Sequence, residues 1–159
     1  ETQQMHPCFS DATLMLQREV ADRVTGAPSS PTYGPLALMT QVLAEAKLVL
    51  SLPPGAFRPA PKVHSGLVQL SFRPSPVTIH DLSLFRRLIR SLFTQRRKTV
   101  LNAFRAFANT VSSLSPQELL DRAGIEHNRR PGTLDLFDYA RLAAVLSEHK
   151  VSSSPMDPT

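Results

Sequence analysis

Residues 47–72 run Lys47-Leu48-Val49-Leu50-Ser51-Leu52, then Pro53-Pro54-Gly55-Ala56-Phe57-Arg58-Pro59-Ala60-Pro61-Lys62, then Val63-His64-Ser65-Gly66-Leu67-Val68-Gln69-Leu70-Ser71-Phe72. The first six residues are strand-like. The last ten alternate, with Val63, Ser65, Leu67, Gln69 and Ser71 on one side and His64, Gly66, Val68, Leu70 and Phe72 on the other, which predicts a strand with at least one buried face. Between them lies a loop stiffened by proline, of polyproline character. Two strands joined by a rigid loop make this an α/β region rather than part of a helical bundle. The same loop holds one aromatic ring, Phe57, at low conformational cost, so it is suited to stack on a planar ligand. The competing reading is that Phe57 plugs the core, as large apolar side chains commonly do.

Working towards the N-terminus, residues 13–17 read as a short buried strand. Residues 18–25 read as a short helix with Val20, Ala21 and Val24 on one side, and Leu36 to Ala44 as a second helix after a loop from Gly26 to Pro35. Three short strands are fewer than the four to six or so of a usual sheet. Residues 1–74 are therefore expected to be the second half of a larger α/β domain. The absence of an initiator methionine at Glu1 supports the expectation of a cut-down chain.

Working the other way, residues 75–151 read as a helical domain. Asp81 is the expected N-cap of a helix whose Leu82, Phe85, Leu88, Ile89, Leu92 and Phe93 share one arc, with Arg86, Arg87 and Arg90 on the opposite flank. The pattern shifts phase near Gln95. A second helix then carries Val100, Ala103, Phe104, Phe107 and Val111, and if it extends back over the preceding turn Arg97 points towards the apolar arc. Ser115-Pro116-Gln117-Glu118 has the spacing of a capping box, Gly124 fits a helix stop, and Asp135 with Asp138 opens a last helix carrying Leu136, Tyr139, Leu142, Ala143 and Leu146. Residues 152–159 read as a disordered Ser/Pro tail.

Composition narrows the function. With 42% hydrophobic and 19% charged residues in 159, wholesale disorder is excluded. No apolar run approaches the roughly 20 residues of a membrane-spanning helix. The single cysteine, Cys8, excludes an internal disulfide framework and any Cys-pair zinc site. The five histidines lack metal-ligand spacing. The reducing cytoplasm is the expected compartment. Ser10, Asp11 and the histidines show no spacing that supports a hydrolytic triad. The six glycines form neither G-x-G-x-x-G nor a Walker sequence.

The net charge of +5 is unevenly placed: +1 over residues 1–74 and +4 over residues 75–159. Between Leu82 and Asn109 stand Arg86, Arg87, Arg90, Arg96, Arg97, Lys98 and Arg105, with no acid. Such a block is a candidate polyanion surface, for which phosphates are the natural partner. A solvated helix start is the alternative for Arg96-Arg97-Lys98.

Several stretches then recur in a familiar order. They are Leu16-Gln17-Arg18-Glu19-Val20-Ala21-Asp22-Arg23, Tyr33-Gly34-Pro35-Leu36, Pro53-Pro54-Gly55-Ala56-Phe57, Pro59-Ala60-Pro61-Lys62-Val63-His64-Ser65, Phe93-Thr94-Gln95-Arg96-Arg97-Lys98-Thr99-Val100-Leu101-Asn102-Ala103, and Gly124-Ile125 with Arg129-Arg130-Pro131. Over residues 13–146 the chain resembles the KsgA-type small-subunit ribosomal RNA adenine dimethyltransferases. The resemblance implies the C-terminal part of a Rossmann-like S-adenosylmethionine methyltransferase domain, followed by a small basic helical domain that docks on rRNA. It implies methyl transfer from S-adenosylmethionine to two adjacent adenines, a checkpoint role in ribosome assembly, and the immature small subunit as partner. It places Phe57 against the target base, and the basic residues, Lys62 among them, against RNA.

The family's glycine-rich cofactor loop, acidic ribose-binding residue and Asn-Leu-Pro-Tyr motif have no counterpart in these residues. Pro35 replaces the usual Arg, Ala60 a Pro and His64 an Asp. The 159 residues alone are therefore expected neither to bind S-adenosylmethionine nor to methylate. A torn sheet edge is expected to favour a dimer or a swap. The alternatives are a non-catalytic RNA-binding assembly factor, or a DNA-binding helical module like the family's mitochondrial transcription-factor relatives.

Overall fold

In a computed structural model, which describes residues 9–149, the chain divides into two compact units, Glu1–Val77 and Thr78–Thr159. The expected Ser/Pro tail at 152–159 lies outside the described residues.

The first unit contains strand β1 (Asp11–Gln17), helix α1 (Arg18–Val24), helix α2 (Pro35–Leu43), strand β2 (Ala44–Leu52) and strand β3 (Ser65–Phe72). The sheet order is β1-β3-β2, and β3 runs antiparallel to both neighbours. Val68 lies opposite Leu14 on one side and Leu48 on the other. It is fully buried, together with Ala21 of α1 and Ala37 and Leu38 of α2. Gly66 is the point of closest approach. A Cβ there would lie 2.8 Å from the Ala21 methyl and 2.9 Å from Leu48 Cδ1, so α1 packs this tightly because residue 66 has no side chain.

The opposite sheet face carries Met15, Leu67 and Leu50 in register. Met15 and Leu50 are exposed there. The expectation of a buried strand at 13–17 is thus corrected: β1 forms, two residues longer, but its side chains are mostly exposed. Its apolar composition signals a buried environment that no described element supplies. Val20 of α1 is exposed as well, leaving Ala21 as that helix's buried residue. Strand β2 starts at Ala44, three residues before the expected Lys47, and carries an irregularity between Leu48 and Leu50.

The second unit contains α3 (Leu82–Thr94), α4 (Val100–Val111), α5 (Pro116–Arg122) and α6 (Leu136–Glu148). Asp81 caps α3, its carboxylate accepting from Leu84 N–H at 2.8 Å. Leu84, Phe85, Leu88, Ile89 and Leu92 are buried. Leu82, expected on that arc, is exposed at the first turn, and Leu84 takes the inward position. In α4, Val100, Ala103, Phe104, Phe107 and Val111 are all buried, as the spacing predicts.

Ser115 accepts from Glu118 N–H at 3.2 Å, but the reciprocal half of the expected capping box does not form. The Glu118 carboxylate turns instead to Arg122, 2.9 Å away. The full box forms at Asp135 and Asp138, at the start of α6. Gly124 adopts φ +65° after α5, the left-handed geometry that glycine accepts without strain. No helix among the described residues is long and apolar enough to cross a membrane.

Candidate nucleic-acid interface

In the first unit the loop joining β2 to β3 is closed by the ladder pair Leu52 and Ser65. A single 3-10 turn spans Pro54–Ala56, and Phe57 N–H donates to the Pro54 carbonyl at 3.2 Å. The expected polyproline run is therefore broken by one tight turn immediately before the aromatic residue. Phe57 itself is half-buried, while Arg58 and Lys62 are exposed. Arg18, which sequence reasoning did not single out as a site residue, ties this region together. Its N–H donates to the His64 carbonyl at 2.9 Å, and its guanidinium reaches Asp22 at 2.8 Å and Ser51 Oγ at 2.9 Å. The i,i+4 spacing of Arg18 and Asp22 was a legible signal; the Ser51 contact, 33 positions away, was not.

In the second unit the bases fall into two groups. Arg86, Arg90, Arg97, Lys98 and Arg105 are exposed. None of them is in an ion pair among the described residues. Arg87 is exposed as well, but its guanidinium lies over the Phe107 ring, 5.7 Å from the centroid. Arg96 is half-buried, and a Cβ on Gly132 would lie 3.3 Å from its Nε. The expectation for Arg97 is corrected accordingly. Because α4 starts only at Val100, residues 95–98 form a turn. Lys98 N–H donates to the Gln95 carbonyl at 2.9 Å. The turn points Arg97 outward and puts Arg96, not Arg97, into the ordered contact.

The start of α4 is closed by carbonyls rather than left open. Val100 N–H donates to Arg129 O at 2.6 Å and Leu101 N–H to His127 O at 3.4 Å. The 127–133 segment that supplies them is held in turn. Arg129 pairs with Asp138 at 2.9 Å and donates to Thr133 O at 2.6 Å, and Tyr139 Oη donates to Pro131 O at 2.9 Å. Asp138, buried, also pairs with Arg141. The basic turn therefore rests on a braced platform. Its cations, not the amides of Val100 and Leu101, are available to an anion.

The glycines offer no cradle for a nucleotide-type cofactor. A Cβ at Gly26 would meet the Tyr33 backbone at 3.0 Å, and the space over Gly66 is filled by Ala21 and Leu48. Gly124 serves a helix end and Gly132 faces Arg96. Among the described residues no group of His, Cys, Asp and Glu could hold a metal.

Comparison with known proteins adds the following. The sequence model of the family described as ribosomal RNA adenine dimethylase matches residues 2–142. The ribosomal RNA small subunit methyltransferase A of Syntrophotalea carbinolica is 39% identical over 144 residues, covering 90% of this chain and 54% of that protein. The protein of the same name from Haemophilus influenzae is 40% identical over 145 residues, covering 91% and 48%. The chain thus spans about half the length of the curated relatives it matches. Among solved structures, a dimethyladenosine transferase from Plasmodium falciparum superposes with a TM-score of 0.78 at 22% identity, over 90% of this chain and 59% of that one. The 23S rRNA methyltransferase ErmE superposes at 0.59 and 23%, over 89% and 56%. At these identities the structural likeness shows the fold.

Proposed function

The chain belongs to the ribosomal RNA adenine dimethylase family, and from that premise we propose that it serves the dimethylation of two adjacent adenines of small-subunit ribosomal RNA, in the cytoplasm, on the immature subunit. The observation that carries the proposal is the single family match over residues 2–142, which takes in both the Phe57 loop and the basic turn. An adenine amino group must leave its stack to meet a methyl donor, and a half-exposed ring on a stiff loop suits a base in that extruded state. Arg86, Arg87, Arg90, Arg97, Lys98 and Arg105 of the helical unit, with Lys62 of the first, contact backbone phosphates and set register, while RNA shape supplies selectivity. Arg96 belongs to the same turn, but its place over Gly132 makes it a support of that surface.

The methyl donor of this chemistry is S-adenosylmethionine, and the residues present do not fit it: the two best-packed glycines, Gly26 and Gly66, are closed by protein atoms. The 159 residues supply the acceptor side of the reaction. The exposed Met15–Leu67–Leu50 face and the β1 edge favour association with a second copy, by pairing or swapping. The missing donor cradle also favours a second reading, a non-catalytic RNA-binding assembly factor.

Two measurements test this. Binding of an rRNA hairpin should weaken steeply with salt; if about five phosphates are contacted, log K falls with a slope of roughly −3.5 to −4.5 against log salt. The Arg97→Ala/Lys98→Ala chain should bind more weakly with its melting curve unchanged. A flat salt response overturns the RNA-docking role, and preference for duplex DNA at matched salt moves the chain to the DNA-binding class. In a calorimetric titration S-adenosylmethionine should give no heat of binding. Micromolar binding overturns the acceptor-side assignment, whereas methylation of the hairpin by the chain itself removes the non-catalytic reading.

A further inference from the structure

The bases of the helical unit are not the chain's only acid-free surface. From Ala46 to His80 there is no Asp or Glu at all, while Lys47, Arg58, Lys62 and Arg73 fall in the same stretch. Lys47 is answered by Glu45 at 3.0 Å, and Arg73 is turned to the carbonyls of Gln41 and Pro74 at 3.3 Å. Arg58 and Lys62, both exposed on the Phe57 loop, are in no ion pair among the described residues.

Beside Lys62 lies a recess of about 340 Å³, lined by Gln17, Arg18, Glu19, Lys62, Val63 and His64. Its one lining carboxylate, Glu19, is taken by Arg23, which stands outside the recess. Arg18 is neutralised by Asp22. Lys62 is left unopposed at the mouth, with the polar His64 and Gln17 around it. A concave, polar, net-positive site on the same loop as an exposed ring has the chemistry to receive a phosphodiester group.

We infer that this recess, with Arg58 and Lys62 at its loop, is a second phosphate-contacting site, which grips the single-stranded RNA backbone next to the base that Phe57 receives, independently of the helical unit. The inference rests on the RNA reading above and deepens it. Lys62 and Arg58 place two charges on one short loop, which suits consecutive phosphates of one strand. His64 completes the rim with a group that accepts or donates a hydrogen bond. A carboxylate at position 64 would oppose the same anion.

The test uses the full 159-residue chain and a fluorescent single-stranded oligoadenylate, with anisotropy read across a salt series. Each single-strand phosphate contact contributes roughly 0.7 to the slope of log K against log salt. Arg58→Ala/Lys62→Ala should therefore flatten the slope by about 1.4, and His64→Asp should weaken binding at low salt. Lys47→Ala, whose charge is already paired with Glu45, should leave the slope unchanged. Melting curves should match throughout, since these side chains are exposed. An unchanged slope in Arg58→Ala/Lys62→Ala, while Arg97→Ala/Lys98→Ala still flattens it, overturns this site and leaves the RNA reading standing. Failure of the unaltered chain to bind either oligoadenylate or the rRNA hairpin overturns both. Equal grip on duplex DNA overturns the single-strand assignment.

Discussion

Strand β1 and helix α4 make an instructive pair. Both are short and rich in apolar residues, and the sequence predicts both to be buried. In α4 the whole stripe, Val100, Ala103, Phe104, Phe107 and Val111, is sealed by its neighbours. In β1, Leu14 and Met15 stay in the open, Met15 at 57% exposure. The same contrast holds for the units that contain them: seven apolar residues are buried in the first and twenty-two in the second, among the described residues. A helix of a small bundle finds its partners in the helices next to it in sequence. A sheet has two faces, and covering the second needs a layer from elsewhere. The helical unit thus completes its own core, whereas the sheet unit presents an apolar face awaiting a partner.

The sharpest way to break that comparison is a matched pair of truncations. Phe104→Ala should cost the helical unit about 3–5 kcal/mol, while Met15→Ala should change stability by no more than about 0.5 kcal/mol, both read by denaturant unfolding. Equal losses would mean that the Met15 face is covered in solution. Next, Gly66→Ala should destabilise the sheet unit by about 1–3 kcal/mol, because its methyl would meet Ala21 and Leu48 on the one face that is packed. A neutral result would show that face to be as loose as the other. Asp81→Ala should cost about 1 kcal/mol through loss of the α3 cap, visible as a lower melting temperature without change in the sheet.

The smallest effect belongs to Glu45, fully exposed on β2. The hydrogen bond from Lys47, and then its charge, hold the Glu45 carboxyl below its ordinary value of 4.5. A lowered carboxyl pKa adds stability above the unfolded value and loses it as pH falls through the folded one. Glu45→Gln should therefore leave the unfolding midpoint at neutral pH and physiological salt almost unmoved, and any difference should vanish in acid. A large neutral-pH loss would mean that this part of the sheet is less solvated than it looks.

Much of the candidate site was legible before any coordinates. Phe57 on a proline-rich loop and the acid-free run of bases were visible as residue types and spacings. The caps at Asp81, Ser115 and Asp135 and the break near Gln95 followed from local chemistry, since each is decided within one or two turns of chain. What stayed hidden was the division of labour among adjacent bases. Arg96 and Arg97 are neighbours of identical charge, yet one packs over Gly132, 36 positions on, and the other faces solvent. The clasp of Arg18 on Ser51 and His64 was hidden for the same reason.

The amino-acid sequence alone determined the order of strands and helices, the helix ends and the cationic character of the second unit, because these depend on local propensity, capping and composition. Only the tertiary structure decided which apolar strand would be covered and which arginine would be spent on the fold. Burial and ion pairing are settled by groups far apart along the chain, brought together only when it folds.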